Sequence, residues 1–227
     1  MRILYKLTTR SRPELAKRAI QSVIDNSVSD DFEIWVTLDH NDEATIDEIE
    51  NLEKTYNEKY NRWVISHCVT LVNKCTKISA INRDLEEIKI LKWDILVNLS
   101  DDQVFIKKGF DEDIRNAFAD NLDQFIHFPD GNRKDLCTMS VIGRDYFNRD
   151  GYIYYPEYIT ECCDDEAQEV AKLRGCYKFV DIEIFNHLHP AYNKAEWDRN
   201  YADNLTLDKQ SHDRDLLAKR RAINFGL

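Results

Sequence analysis

Asp94-Ile-Leu-Val-Asn-Leu-Ser-Asp-Asp-Gln-Val104, in one-letter form DILVNLSDDQV, decides the fold. Residues 94–99 are a nearly continuous apolar run, as expected of a strand covered on both faces. The run delivers two adjacent carboxylates, Asp101 and Asp102, into a loop. Neighbouring side chains of an extended chain point to opposite faces, so the two are expected to do different jobs. One is suited to a hard divalent cation that keeps substrate phosphate oxygens among its ligands. The other is suited to accept hydrogen bonds from a ribose.

Working outward, apolar runs alternate with helical patterns. Residues 2–8, 33–38 and 63–66 read as strands. Ser11-Arg12-Pro13-Glu14 opens a helix whose stripe is Leu15, Ala19, Ile20, Val23 and Ile24. Helices are expected at 43–60 and, as one piece, at 77–90, where Ile78, Ile81, Leu85 and Ile88 share a face. Further on, 124–128, 136–143 and 177–185 read as strands, and 144–149 and 164–174 as helices, the second closed by Gly175. Alternation of this kind implies an α/β fold with a mostly parallel sheet. Ligands of such sheets bind beyond the carboxyl ends of the strands, here Thr8-Thr9-Arg10, Asp39-His40-Asn41-Asp42 and Ser100-Asp101-Asp102.

Composition narrows the function. With 31 Lys and Arg against 42 Asp and Glu, the net charge is −11, which argues against unspecific binding to nucleic acid. A phosphorylated ligand then needs local cations, and Arg10, Arg12 and Lys77 are candidates. No run approaches the roughly 20 apolar residues of a membrane span. The N-terminus reads as a strand rather than an export signal, so the six cysteines are expected as reduced thiols in a cytoplasm. The sequence holds no GxGxxG, P-loop, GxSxG or HExxH.

Two more clusters stand out. Glu161-Cys162-Cys163-Asp164-Asp165-Glu166 puts acids at a helix start, where Asp164 reads as an N-cap or as a general base. His187-Leu188-His189-Pro190 places two imidazoles on one face after a strand, where they suit a metal or a phosphate.

Taken together, TTRSRP after the first strand, Asp39 after the second, KISAINRDL, the strand into SDD, the acidic helix start CDDE ending at Gly175 and the strand into HLHP resemble a glycosyltransferase of the GT-A fold, most similar to the inverting family 2. The resemblance covers residues 2–190 and implies a Rossmann-like three-layer α/β/α domain over 1–190, with 191–227 as a C-terminal helical appendage. It implies that Thr8, Thr9 and Arg10 line a nucleotide pocket and that Asp39 accepts from the base, typically uracil. Lys77 and Asn82 are expected near base or phosphates, and Asp101 at the ribose or sugar. Asp102, with His187 or His189, is expected to bind Mn2+ or Mg2+, and Asp164, with Asp165 as its rival, to be the base. Ser100 stands where the family's motif has Asp, and Cys163 where an acid is expected. The implied partners are a nucleotide-sugar donor and a glycan, lipid-linked or protein acceptor, with a homo-oligomer possible.

Three rival readings stay open: a nucleotide-sugar-binding protein without turnover, an interaction protein docking through its aromatic stretch Tyr152–Tyr158 and its tail, and a nucleotidyltransferase. The rings of Tyr152–Tyr158 also suit stacking on an acceptor sugar.

Overall fold

The computed structural model describes residues 1–71 and 75–227. Four parallel strands form its heart: β1 (Ile3–Thr8), β2 (Phe32–Asp39), β3 (Ile65–Thr70) and β4 (Ile95–Ser100). Between them run α1 (Pro13–Asn26), α2 (Glu43–Tyr60) and the short α3 (Lys77–Ile81) and α4 (Leu85–Lys89). After β4 come β5 (Gln103–Phe105), α5 (Phe110–Phe118), β6 (Phe125–His127), β7 (Val141–Gly143), α6 (Arg144–Asp150), α7 (Cys163–Leu173), β8 (Tyr177–Phe179), β9 (Phe185–His187), α8 (Arg199–Asn204) and α9 (Leu207–Ala222). The central sheet has seven strands in the order β3-β2-β1-β4-β7-β6-β8, and only β7 runs against its neighbours. β5 and β9 form a separate antiparallel pair.

Alternation along β1 builds the layers. Ile3, Tyr5 and Leu7 enter a core shared with α1, α2 and α5, whereas Leu4 enters a second core shared with α3, α4, α6 and α7. A sheet buried on both faces between helices is the three-layer α/β/α arrangement expected. On the second face the upper end of the sheet is polar. Lys6, Thr37 and Asn98 are buried there, and Thr8 is half-buried.

Several local expectations are corrected. The helix expected over 77–90 is broken by Asp84, which sits in the left-handed region at φ 62°. Its carboxylate accepts from Thr37 Oγ1 at 2.6 Å and Trp35 Nε1 at 3.4 Å, which holds the break against β2. The strand expected over 177–185 splits, because β8 pairs with β6 while β9 pairs with β5. β3 starts later and runs further than 63–66, and only Val141–Gly143 of 136–143 is a strand. α5 was not signalled by the pattern; it buries Phe110, Ile114, Ala117 and Phe118.

The tail is held tightly. Leu217 and Phe225 are buried in the second core, and Arg220 Nη2 donates to Glu166 Oε1 on α7 at 2.7 Å. Asp213, fully buried on α9, accepts the backbone N–H groups of Ile159 (2.9 Å), Thr160 (2.7 Å) and Glu161 (2.8 Å). Those three residues lead straight into α7.

Candidate functional site

A cavity of about 910 Å³ opens beyond the carboxyl ends of β1, β2 and β4. Its walls include Thr8, Thr9, Arg10, Asp39, Lys77, Asp101, Asp102, Asp164, His187 and His189, so ten of the twelve residues to which the resemblance gives a role meet at one opening, with Arg12 beside them. Asn82 and Asp165 do not border it. The Asn82 amide is consumed by the loop after α6: Nδ2 donates to the Tyr154 carbonyl at 2.6 Å and Oδ1 accepts the N–H groups of Ile153 and Tyr154.

The turn after β1 aims a cation inward. Ser11 adopts φ 52°, and its N–H donates to the buried Asp42 carboxylate. Arg12 follows before Pro13 opens α1. One guanidinium nitrogen of Arg12 meets Asp101 Oδ1 at 2.9 Å, and the other two chelate Asp198 at 2.7 and 2.8 Å. Its Cζ lies 4.3 Å from the centroid of the Tyr201 ring. Arg10 pairs with Asp39 at 3.0 Å and Arg83 reaches the same carboxylate at 3.4 Å.

Asp101 and Asp102 lie in the tight turn between β4 and β5 rather than in extended chain, and there they take different partners. Asp101 accepts from Thr9 Oγ1 at 2.7 Å and from Arg12. Asp102 Oδ2 accepts from Tyr201 Oη at 2.8 Å and faces His187 Nε2 at 3.3 Å. Asp102 Oδ1 is buried with no hydrogen-bond partner among the described residues. Burial and the adjacent Asp102 push the Asp101 carboxyl up, against Arg12 and Thr9. Burial also opposes charge on Asp102, but the hydrogen bonds of His187 and Tyr201 outweigh it and hold this carboxyl low. Register explains the neighbourhood: β5 pairs with β9 so that Gln103 lies opposite His187.

His187 lies between two carboxylates, Asp102 on Nε2 and Asp130 on Nδ1 at 3.4 Å. Burial alone would lower its pKa, yet the two acids win and raise it to about 9. His189 is set differently. Its Nδ1 accepts the Ala191 N–H at 3.2 Å, and its ring packs edge-on against Tyr201.

On the opposite wall, Asp164 lies in the first turn of α7, two residues beyond the N-cap position, which Cys162 occupies without a side-chain cap. The N-cap role expected of Asp164 is therefore corrected. Its Oδ1 accepts the N–H of Asp165 at 3.1 Å. Burial raises its carboxyl above the ordinary aspartate range, with Lys77 working against that rise. Of the aromatic stretch, Tyr158 is buried against Glu166 and Tyr155 lies under Arg220, so only Tyr154 reaches the cavity wall. Sequence reasoning missed Asp130, Asp198 and Tyr201. Asp130 looks like any turn residue, and the other two lie in a polar tail.

The donor set fits a hard cation. Asp102 offers a buried Oδ1 with no hydrogen-bond partner among the described residues, and His187 Nε2 lies 3.3 Å from its Oδ2. Among the described residues, no three His, Cys, Asp or Glu side chains converge into a preformed cage. No helix among them is long and apolar enough to cross a membrane.

No protein-family model matches the sequence, and no curated protein does. Solved structures do. The mannosyltransferase PcManGT from Pyrobaculum calidifontis, in complex with GDP-Man and Mn2+, superposes with a TM-score of 0.63 at 11% identity, over 97% of this chain and 75% of that one. S. aureus TarS 1–349 in complex with UDP gives 0.62 at 12% identity, over 100% and 72%. Glucosyl-3-phosphoglycerate synthase from Mycobacterium tuberculosis, with Mn2+, UDP-Glc and phosphoglyceric acid, gives 0.60 at 10% identity, over 96% and 80%. With its layered sheet, its cavity at the strand ends and these neighbours, the chain has the GT-A fold.

Proposed function

We propose that this protein transfers a sugar from a nucleoside diphosphate donor, uridine being the nucleoside we favour, to an acceptor hydroxyl with inversion. The observation that carries the reading is the buried Oδ1 of Asp102, unpartnered among the described residues, at the exit of β4, in a cavity that also holds Arg12, His187 and Asp164.

Asp39, steadied by Arg10 and Arg83, offers oxygens to the imide N–H of a base. Thr8 and Thr9 line the nucleotide's side of the cavity, and Asp101 accepts from sugar hydroxyls. Asp102 and His187 would hold Mn2+ or Mg2+, which when bound neutralises charge on the leaving diphosphate. Lys77 and the Arg12 guanidinium counter the same charge from the protein side. Asp164 takes the proton of the acceptor hydroxyl as its oxygen bonds to the anomeric carbon and the bond to the diphosphate breaks. A carboxyl held above the ordinary aspartate range is a better proton acceptor near neutrality than a solvated one. Asp164 is chosen over Asp165 because, of the two, it borders the cavity. His187 is chosen over His189 because its Nε2 faces Asp102.

A reading without turnover keeps the same pocket. Its support is that Cys163, where a second acid would stand, is buried in the core. The test is a thermal-shift panel of UDP and GDP with and without Mn2+, followed by nucleotide release from the matching sugars. Metal-dependent stabilisation by UDP supports the first reading, and GDP alone shifts the donor to guanosine. Asp102→Ala should abolish release, and Asp164→Asn should lose at least about 10²-fold. Wild-type release from Asp102→Ala sinks the proposal; donor binding with no release across acceptors favours the second reading.

A further inference from the structure

The loop Asp130–Asn132 grips His187 from several directions. Asp130 is 0% exposed. Its Oδ1 accepts the N–H groups of Asn132 and Arg133, both at 2.8 Å, which closes the turn on itself. Its Oδ2 accepts from Thr138 Oγ1 at 3.0 Å and faces His187 Nδ1 at 3.4 Å. The backbone repeats the grip. The His187 N–H donates to the Asp130 carbonyl at 2.9 Å, and Asn132 Nδ2 donates to the His187 carbonyl at 2.8 Å. Close approach of the loop to β9 depends on Gly131, at φ +76°, where a Cβ would lie 2.0 Å from Asn186 Oδ1.

A carboxylate accepts and cannot donate, so the Asp130 contact requires the proton on Nδ1. Nε2 likewise faces a carboxylate, that of Asp102, and carries a proton until a cation displaces it; the proton held on Nδ1 by Asp130 then leaves the lone pair on Nε2 for the cation. We propose that Asp130 is a positioning residue: it fixes the ring and tautomer of His187 so that Nε2 is presented, together with Asp102, to a divalent cation. The inference rests on the metal-dependent reading above. A carboxylate behind a ligating histidine raises the basicity of that ligand and removes the entropy of aiming it.

The experiment measures Mn2+ binding to the full chain with UDP present, from the electron paramagnetic resonance of free Mn2+. Asp130→Asn keeps an oxygen for the turn and removes the carboxylate from His187. It should weaken Mn2+ binding about 10- to 100-fold, with metal-free UDP binding unchanged. His187→Ala should lose Mn2+ at least as severely. Binding lost in His187→Ala but within twofold of wild type in Asp130→Asn overturns this proposal alone. No Mn2+ binding by wild type, or full binding in His187→Ala, overturns the metal reading and this proposal with it. Should Asp130→Asn fail to fold, long-range proton–nitrogen spectra of wild type with Mg2+ and UDP decide: a proton on Nδ1 is expected, and a bare Nδ1 is the contrary result.

Discussion

Asp213→Ala tests how far the tail governs the site. The carboxylate of Asp213 takes three backbone N–H groups at 2.7–2.9 Å in a fully buried setting. Hydrogen bonds to a charged group contribute about 1.5–3 kcal/mol each, and the three share one acceptor group, so they do not add fully. Removal leaves three N–H groups with water as their best substitute, and a loss of about 3–5 kcal/mol is expected. In a chain of this size each kcal/mol shifts the melting temperature by about 2–4 °C, so Tm should fall by roughly 10 °C. Scanning calorimetry reads this directly, with the exposed Asp208→Ala on the same helix as the control, expected within about 1 °C. Asp213→Asn keeps one acceptor and should fall between. Because residues 159–161 run into the first turn of α7, turnover should drop in Asp213→Ala even where it is still folded. A melting temperature within about 3 °C of wild type would show that the loop is held by something else.

Further expectations concern charge. Burial lowers the Lys6 ammonium from the ordinary 10.5 to about 8, in spite of Asp84; at 1.36 kcal/mol per pH unit this is a cost near 3 kcal/mol at neutral pH. Lys6→Met removes this cost together with the donor to Thr37 Oγ1, so its urea-unfolding stability relative to wild type should be pH-dependent, and a difference that stays constant between pH 7 and 10 would refute the reasoning. The unfolded chain holds this proton up to about 10.5 and the folded one only to about 8, so wild-type stability should gain on the variant as pH rises through that window. Since the Asp164 carboxyl is raised, kcat/KM should fall on acidification at a pH above the ordinary aspartate value, and Asp164→Asn should lack that limb; an unchanged limb assigns the base elsewhere. Arg12→Lys keeps the charge but not the fork on Asp198, so proteolysis within 193–206 should quicken several-fold; an unchanged cleavage rate would show that Arg12 does not hold the segment.

The parallel half of the fold was legible because β1, β2 and β4 are long apolar runs ending in polar clusters, and the clusters converge wherever such strands end. Three-residue strands such as β5 and β9 are too short for any period to register, yet their pairing sets His187 beside Asp102. Asp84 interrupts a helical stripe without disturbing its apolar spacing, so the break shows in its left-handed backbone and its contact with Thr37 rather than in the pattern. Asp198 and Tyr201 belong to a polar segment whose half-burial arises from contacts 186 and 99 residues back in the chain. Such pairings leave no trace in local composition.

The Arg12–Asp198 chelate has a thermodynamic corollary. An anion seeking this guanidinium contends with a carboxylate that the chain itself supplies at high effective concentration. Apparent affinity is thus intrinsic affinity scaled by the fraction of molecules in which Asp198 has let go. Weak anions would leave the chelate closed, and any ligand of this guanidinium would first have to out-compete Asp198 for it.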